Sequence, residues 1–444
     1  MKFQEFNITT PLYNALMDNG FVEATPIQQK VFPVVMSGRD VVGIAQTGTG
    51  KTIAYLLPCI KMWKYSGNGL PQILIMVPTR ELVLQVVEQV NKLTSYMNVV
   101  TLGIFGGVNT KPQLVAIANG VDVLVATPGR LFDLALTGVL RLKQIKKLII
   151  DEVDEMLNLG FRPQLTSIFE LLPPKRQNLM FSATITQDIE DLTTDFFNNP
   201  IKIEAAPTGT PLENIKQIGY ELPNFYTKIN FLIKLLNNKV DLKKVLIFVS
   251  TKKLADDVYE LIQTNFPNQL GVIHSNKAQN NRFNSVRNFN AGACRILIAT
   301  DIMARGIDIT DISHVINFDF PDSPENYMHR IGRTGRADKE GIAITFILEK
   351  DAEYREAAET LMNVQIPIED LPEDLDFSKE LTEDEKPKVH MINYLDKLPK
   401  KAPSGPAFHT KLAKNVKTNS KVPHKELMMI KYGKKKTRGQ KKTK

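Results

Sequence analysis

Short apolar runs recur along most of the chain, and each run ends in small polar or acidic residues. Between the runs, apolar residues return with helical spacing, as in RELVLQVVEQVNKL from Arg80 and TKKLADDVYELI from Thr251. The first series of runs is QILIMVPT (72–79), VDVLVATP (121–128), KKLIIDEVD (146–154) and NLMFSAT (178–184). The second series is KVLIFVST (244–251), CRILIATD (294–301), HVINFDF (314–320) and GIAITFIL (341–348). These patterns predict β-strands that alternate with α-helices.

Nearly continuous apolar strands of this kind are typical of parallel sheets that helices cover on both faces. The two series of runs therefore predict two α/β domains. In such sheets ligands bind beyond the carboxyl ends of the strands, so the polar residues that end each run are candidate ligand-binding residues.

The domain boundaries follow from changes in composition. A chain of 444 residues has room for about three domains of ~150 residues. The segment AAPTGTPLEN (205–214) is rich in Pro, Gly and Thr and predicts a linker. We therefore expect one domain over residues 1–206, a linker over 207–214 and a second domain over 215–363. Residues 364–444 are first acidic and then Lys-rich, and we expect them to be disordered because they can bury little apolar area.

Charge is distributed unevenly along the chain. Residues 401–444 contain fourteen Lys and Arg and a single acid, Glu426, so their net charge is +13. The net charge of the whole chain is +8, which leaves −5 for residues 1–400. A basic tail on a mildly acidic body suggests an appendage that binds a polyanion. The alternative is a solvated terminus without a partner.

Several classes of protein are disfavoured by the sequence. No apolar run approaches the ~18 residues of a membrane span, and the start of the chain lacks the apolar segment of a secretory signal. Only Cys59 and Cys294 are present, which argues against a disulfide framework or a zinc site. We expect a reducing, cytoplasmic setting and no membrane partner.

The segment AQTGTGKT (45–52), directly after the apolar run DVVGI, has the character of a phosphate-binding loop that leads into a helix. Glycines allow backbone N–H groups to surround phosphates, Lys51 reaches the terminal phosphates, and the Thr52 hydroxyl can bind Mg²⁺. Ala45 stands where the strict pattern has its first glycine, and the alternative is a Gly-rich turn. The predicted nucleotide-binding set is Ala45, Gln46, Thr47, Gly48, Thr49, Gly50, Lys51 and Thr52.

The acids of LIIDEVDEML (148–157) follow another apolar run. A phosphate-loop enzyme needs a second strand whose terminal Asp holds Mg²⁺, and Asp151 is placed for that role. Glu152 is then placed to orient or deprotonate the attacking water. The alternative, an acidic helix N-terminus, fits the next two acids, Asp154 and Glu155.

Taken together, these motifs resemble a DEAD-box ATP-dependent RNA helicase from Phe3 to about Gly341, with Val153 where the motif DEAD has alanine. The resemblance implies two tandem RecA-like domains, ATP and Mg²⁺ as cofactors, with Thr52 and Asp151 as metal ligands, and structured RNA as partner. The basic tail and short linker look most like the bacterial ribosomal-RNA helicase branch. We interpret Val153 as a packing variant whose side chain points away from the phosphates.

The resemblance also implies roles for individual residues. Phe3 would stack on adenine and Gln28 would bind its edge, although Phe3 taken alone favours core packing. Ser182 and Thr184 would couple nucleotide state to RNA binding, and Gly306 and Asp308 would contact the nucleotide, Asp308 at the ribose. The implied catalytic residues are Lys51, Asp151, Glu152, His329 near the γ-phosphate, and the arginine fingers Arg333 and Arg336. The implied RNA contacts are Arg80, Gly107 beside Gly106, Thr127, Arg130, Gln279, Arg282, Thr300 and Asp301.

The sequence therefore predicts an enzyme that hydrolyses ATP when RNA draws the two domains together and that locally separates short RNA duplexes, in ribosome assembly or RNA metabolism. An ATP-gated RNA clamp or annealing chaperone is the main alternative. A DNA translocase on the same core is a third hypothesis.

Overall fold

The structure is a computed structural model that describes residues 1–45, 48–204, 214–238, 242–301, 309, 311–335, 340–386, 426–427, 429 and 431. The chain divides into one compact unit, Met1–Glu385, and a second unit, Lys386–Lys444. Both predicted sheets lie in the first unit. The linker prediction falls almost entirely outside the described residues, and so does the prediction of a disordered basic tail.

The first domain contains a sheet in which all neighbouring strands are parallel. Its seven strands lie in the order β3-β4-β2-β5-β6-β1-β7. The strands are β1 (Val41–Ile44), β2 (Ile73–Met76), β3 (Thr101–Ile104), β4 (Val123–Ala126), β5 (Lys147–Ile150), β6 (Gln177–Ser182) and β7 (Ile201–Glu204). Apolar side chains pack on both faces, and the central strands β1, β2, β4, β5 and β6 are buried along their whole length.

Helices cover both faces of this sheet. The helix from Arg80 illustrates the local cause: the Leu82 N–H donates to the Thr79 hydroxyl at 3.3 Å, which caps the first turn. The apolar residues of this helix return with helical spacing and form its buried face. The helices are a 3₁₀ helix (Phe3–Phe6), α1 (Thr10–Asp18), α2 (Pro26–Met36), α3 (Lys51–Met62), α4 (Arg80–Leu93), α5 (Thr110–Ala118), α6 (Pro128–Leu136), α7 (Val153–Asn158), α8 (Arg162–Leu171) and α9 (Gln187–Phe196).

The second domain repeats the architecture with six strands in the order β10-β11-β9-β12-β13-β8, again all parallel. The strands are β8 (Ile215–Glu221), β9 (Val245–Val249), β10 (Leu270–Ile273), β11 (Ile296–Thr300), β12 (His314–Asn317) and β13 (Gly341–Ile347). The described helices are α10 (Phe225–Asn238), α11 (Lys252–Ile262), α12 (Gln279–Asn290), α13 (Pro324–Ile331), a 3₁₀ turn (Glu349–Asp351) and α14 (Ala352–Met362). The prediction of two parallel α/β domains is confirmed.

The strands that sequence patterns did not predict are the four edge strands β3, β7, β8 and β10. An edge strand has a neighbour on one side only and is less completely covered, so its sequence is less uniformly apolar. All four of these strands contain partly or fully exposed positions. The eight predicted runs, in contrast, correspond to the interior strands of the two sheets, all except β1.

The prediction that residues 364–386 are disordered is wrong. This segment, which we call the strap, packs on the second domain and buries Ile366 and Leu375 to 2% and 7% exposure. Its backbone continues the sheet beyond β8, where Gly219 pairs with Ile368 in a parallel bridge. The Gly219 N–H donates to the Pro367 carbonyl at 2.7 Å.

The acidic part of the strap is ordered because its carboxylates have partners in the second domain. Glu385 accepts a hydrogen bond from the backbone N–H of Phe225 at 2.7 Å and so caps the start of α10. Glu369 accepts a hydrogen bond from the Tyr220 hydroxyl at 2.6 Å. The second domain thus extends to about residue 385 rather than ending at 363.

Two further expectations concern the described residues. Cys59 and Cys294, for which the sequence provides no reason to expect pairing, are both buried free thiols. Within the described ranges, no helix combines the length and the apolar character that crossing a bilayer requires.

Candidate active site between the two domains

The phosphate-binding loop lies at the carboxyl end of β1, and α3 begins at Lys51. Gly50 adopts a φ of +91°, and a Cβ there would lie 2.5 Å from the Gln28 Nε2 atom. The Gln28 side chain instead donates to the Gly50 carbonyl at 3.1 Å, so this close approach requires glycine. Ala45, at the start of the loop, is buried and donates its N–H to the Ser182 carbonyl. Gln46 and Thr47 lie outside the described residues.

A cavity of about 510 Å³ lies over this loop. Its walls include Gly48, Lys51, Thr52, Asp151, Glu152 and, from the second domain, Arg333. The Lys51 Nζ and Glu152 Oε2 atoms are buried and have no hydrogen-bond partner among the described residues. A buried cation without a partner is costly, so Lys51 fits a site that phosphate oxygens complete.

The two acids that follow β5 form the floor of the cavity. Glu152 has a left-handed φ of +52°, and its N–H donates to Asp151 Oδ1 at 3.0 Å. Burial raises the pKa of both carboxyl groups, and the Lys51 ammonium opposes that shift in each. The left-handed turn separates the strand from α7, so Val153 is the first residue of a helix rather than the end of the strand. It is fully buried in the apolar core, which fits our interpretation of it as a packing variant.

The predicted Mg²⁺ ligands, Asp151 and Thr52, both line this cavity. Among the residues that the structure describes, no group of three or more His, Cys, Asp or Glu could hold a metal ion. The carboxylate of Asp151 and the hydroxyl of Thr52 fit Mg²⁺, which proteins commonly bind with one or two side-chain oxygens and which takes the remaining ligands from phosphates and water.

Asp154 connects the acids to the predicted coupling residues Ser182 and Thr184. Its Oδ2 atom accepts hydrogen bonds from the N–H groups of Ala183 and Thr184 at 3.0 and 3.2 Å and from the Thr184 hydroxyl at 3.3 Å. Burial alone would raise the pKa of Asp154, but nearby His329 and Lys51 and hydrogen bonds from Ser182 and Ala183 outweigh it and leave the pKa lowered. The structure thus brings the predicted coupling residues against the turn that carries the catalytic acids.

The second domain supplies Arg333 and His329 at this interface. Arg333 is 5% exposed and lines the cavity. The Nδ1 atom of His329 lies 3.0 Å from Glu155 Oε1, and its Nε2 atom lies 4.0 Å from Asp154 Oδ2. The structure thus places His329 against the acids that follow Asp151 and Glu152, and its place near the γ-phosphate and the finger role of Arg333 stay predictions. Gly306, Asp308 and Arg336 lie outside the described residues.

The adenine-binding prediction is partly corrected. Gln28 lines the cavity, and its carbonyl accepts from the Thr25 N–H at 3.0 Å. Phe3 is 0% exposed and packs against Phe6 in the core, so its ring cannot stack on a base in this arrangement. Phe21, which lies closer to Gln28 in the sequence, lines the cavity instead. The core-packing alternative for Phe3 is the correct one.

The predicted RNA contacts of the first domain lie after β2, β3 and β4. Gly107 is exposed with a φ of +79°, and a Cβ there would lie 3.2 Å from Arg80 Nη1, so these two residues are neighbours. Arg130 donates to the Val108 carbonyl at 3.2 Å, which joins it to the same loop. Thr127 is partly exposed at the N-terminus of α6.

Two of the predicted RNA contacts of the second domain, Arg282 and Asp301, have protein partners. Arg282 is 3% exposed and its Nη2 atom lies 3.4 Å from Glu81 of the first domain, so the structure gives it an interdomain ion pair in place of an RNA-facing position. Asp301 accepts hydrogen bonds from Nε and Nη2 of Arg330 at 2.5 and 2.7 Å. Of Gln279, which begins α12, only the backbone is described.

Thr300 and Asp301 nevertheless line a cleft of about 840 Å³ to which both domains contribute. Glu155 and Asn158 form the first domain's side of this cleft, and the second domain adds Ser250 and the residues at the start of α11. The cleft is therefore distinct from the cavity over the phosphate-binding loop.

Sequence reasoning missed four residues that contribute to these sites: Phe21, Tyr55, Glu81 and Arg330. Phe21 could have been found from its position shortly before Gln28. Glu81 follows Arg80 at the start of α4, and nothing in the local sequence indicates that its side chain has a partner in the other domain. Tyr55 looks like an ordinary helix residue, yet its hydroxyl donates to Asp151, which lies far from it in the sequence, at 3.0 Å.

Two family models match the chain. One, described as DEAD/DEAH box helicase, matches residues 25–192, and the other, described as helicase conserved C-terminal domain, matches residues 227–338. DEAD-box ATP-dependent RNA helicase CshA of Geobacillus kaustophilus is 39% identical over 351 residues, which are 79% of this chain and 74% of that protein. DEAD-box ATP-dependent RNA helicase 30 of Arabidopsis thaliana is 38% identical over 357 residues, which are 79% of this chain but only 60% of the plant protein.

The structure is also similar to solved structures. It matches S. cerevisiae Dbp5 bound to RNA and ADP BeF3 with a TM-score of 0.76 and 27% identity, over 83% of this chain and 95% of that one. A variant of Dbp5 bound to Nup159, a Gle1 variant, IP6 and ADP gives a TM-score of 0.59 at 26% identity, over 83% and 96% of the chains.

Proposed function

Since this chain belongs to the DEAD-box ATP-dependent RNA helicases, a family of ATP-hydrolysing enzymes, we propose that it hydrolyses ATP when RNA draws its two domains together and that it thereby separates short RNA duplexes. The observation that carries this proposal is the position of Arg333. It belongs to the second domain, yet it lines the same cavity as Lys51 and Glu152 of the first. A complete hydrolytic site therefore exists only while the domains are together.

The chemistry is the attack of water on the γ-phosphorus of ATP, which breaks the β–γ phosphoanhydride bond and releases ADP. Glu152, with a buried and unpartnered Oε2 atom, orients the water and accepts its proton. The cations of Lys51 and Arg333 stabilise charge on the phosphate oxygens. Thr52 and Asp151 would hold Mg²⁺, which when bound would supply positive charge against that of the nucleotide's phosphates.

Coupling to RNA follows from the contacts between the domains. Two of them, Arg282 with Glu81 and His329 with Glu155, lie outside the cavity and hold the domains together. ATP and an RNA strand that both bind across the interface each favour the closed state, so each increases the affinity for the other. Closure on a bent strand would disrupt a short duplex, and loss of phosphate would let the domains separate.

We further propose that the substrate is structured RNA, most simply ribosomal RNA during ribosome assembly, and that the protein acts in the cytoplasm. The support is the charge of +13 on residues 401–444, which favours a highly charged, folded polyanion. The similarity to the bacterial helicase CshA is compatible with this branch of the family.

The decisive experiment compares ATPase stimulation by RNA and DNA of equal sequence, together with strand displacement in the presence of ATP or a non-hydrolysable analogue. The proposal expects stimulation by RNA alone and displacement that turns over with ATP. Stimulation by DNA would favour a translocase. ATP-dependent RNA binding or annealing without displacement would favour the clamp or chaperone.

A further inference from the structure

Tyr55 occupies a buried position between the two predicted Mg²⁺ ligands. It lies on α3, one turn after Thr52, and is 0% exposed. Its hydroxyl donates to Asp151 Oδ2 at 3.0 Å. Thr52 lines the cavity together with Asp151. Tyr55 therefore follows one predicted ligand on α3 and is hydrogen-bonded to the other at the neighbouring strand end.

The Tyr55 ring is held in place by its packing. Its centroid lies 5.2 Å from that of Phe181, with the ring planes at 47°. Phe181 in turn fits against Gly43, where a Cβ would lie 2.6 Å from the ring. Because neither ring has room to move, the direction of the Tyr55 hydroxyl is fixed by the core of the domain.

The Asp151 carboxylate is thereby oriented at both oxygens. Oδ2 accepts from Tyr55, and Oδ1 accepts from the N–H of Glu152 at 3.0 Å. A carboxylate held in this way loses little rotational freedom when it binds a cation. Hydrogen bonds of this kind to metal ligands commonly affect metal affinity by ~10–100-fold.

We propose that Tyr55 is a positioning residue for Mg²⁺: its hydroxyl orients Asp151 toward the metal ion that accompanies the nucleotide. The inference rests on the proposed function, since it assumes that the cavity binds a magnesium nucleotide. It also implies that the hydroxyl contributes to metal affinity more than to nucleotide affinity, because its hydrogen bond goes to Asp151 and not to the Lys51 ammonium, which has no hydrogen-bond partner among the described residues.

The test uses the full chain with Tyr55→Phe, which removes the hydroxyl and keeps the ring. Tyr220→Phe is the matched control, because Tyr220 also donates to a carboxylate, Glu369 at 2.6 Å, in the second domain and away from the cavity. ADP binding is measured by titration calorimetry in EDTA and then at rising Mg²⁺ concentration. The thermal midpoint of each protein is recorded alongside.

In EDTA, wild type, Tyr55→Phe and Tyr220→Phe should bind ADP within about twofold of each other. The Mg²⁺ concentration that gives the half-maximal increase in ADP affinity should rise about tenfold or more in Tyr55→Phe alone. An unchanged Mg²⁺ midpoint would overturn the proposal, and so would an equal loss of ADP affinity with and without Mg²⁺, which indicates a merely structural role. These measurements involve no RNA or hydrolysis. The failure of the proposed function, seen as absent RNA-stimulated ATPase in wild type, therefore remains distinguishable from the failure of this inference.

Discussion

The Nδ1 atom of His329 lies 3.0 Å from the Oε1 atom of Glu155, and this contact joins the second domain to the helix that carries the first domain's acids. Both side chains are at least nine-tenths buried. A buried polar contact of this kind favours the closed arrangement, since opening the domains separates the pair.

We therefore expect Glu155→Ala and His329→Ala to weaken RNA binding in the presence of a non-hydrolysable ATP analogue by about tenfold, roughly 1.4 kcal/mol. ATP binding without RNA should change little. The double variant should be no worse than either single variant, because residues in contact are coupled by ~0.5–3 kcal/mol. Effects that simply add would contradict a direct role of the pair in closure.

Lys51→Ala and Glu152→Gln should both abolish ATP turnover but differ in nucleotide binding. Loss of the Lys51 cation should weaken ADP affinity by about 10–100-fold, as expected for a charge-assisted hydrogen bond. Glu152→Gln should still bind ATP and retain RNA in the closed state. Lys92→Ala is the control, since Lys92 also lines the cavity but pairs with Glu88 at 2.7 Å. Near-normal hydrolysis by Glu152→Gln would show that another group activates the water.

Val153→Ala should lower stability while leaving chemistry largely intact. Val153 is 0% exposed, so removing two carbon atoms should cost about 2 kcal/mol of unfolding free energy. RNA-stimulated kcat should change by no more than about tenfold. Val258→Ala, at an equally buried position in the second domain, should lose similar stability without any change in kcat. A change in kcat of several orders of magnitude for Val153→Ala would mean that this side chain positions the acids beside it.

A chain that ends at residue 386 should keep its second domain folded, whereas a chain that ends at 363 should not keep full stability. The shorter chain loses the buried side chains of Ile366 and Leu375, which contribute about 3 kcal/mol or more together, and the Glu385 cap of α10. Thermal unfolding of the two truncated proteins checks this expectation. Equal midpoints would show that the strap does not stabilise the domain.

Deleting residues 401–444 should weaken RNA affinity and flatten its dependence on salt. Each phosphate that the tail neutralises contributes about 0.7 to the salt slope for single strands. The deletion should also slow association through lost electrostatic steering, but leave kcat at saturating RNA unchanged. RNA affinity over a salt series for full-length and truncated protein decides the matter. Identical slopes would remove the tail from RNA binding.

The sequence by itself determined the two α/β domains, the phosphate-binding loop and the acids that follow β5. These features depend on local patterns: apolar runs bury themselves as interior strands, and the chemistry lies where each run ends. The same logic failed at the edges of the sheets, where β3, β7, β8 and β10 are only partly covered and their patterns are weaker.

Only the tertiary structure decided which of two similar side chains reaches the cavity. Phe3 and Phe21 are chemically identical, but the core covers the first and leaves the second at the cavity wall. The strap is a second example, because its acidic composition predicted disorder, whereas in the structure Glu385 accepts a hydrogen bond from the N–H of Phe225. The hydrogen bond from Tyr55 to Asp151 likewise joins positions far apart in the chain. The local sequence determines the spacing and polarity of side chains. Whether a side chain is buried, and which group it hydrogen-bonds to, depends on the distant segments that pack against it.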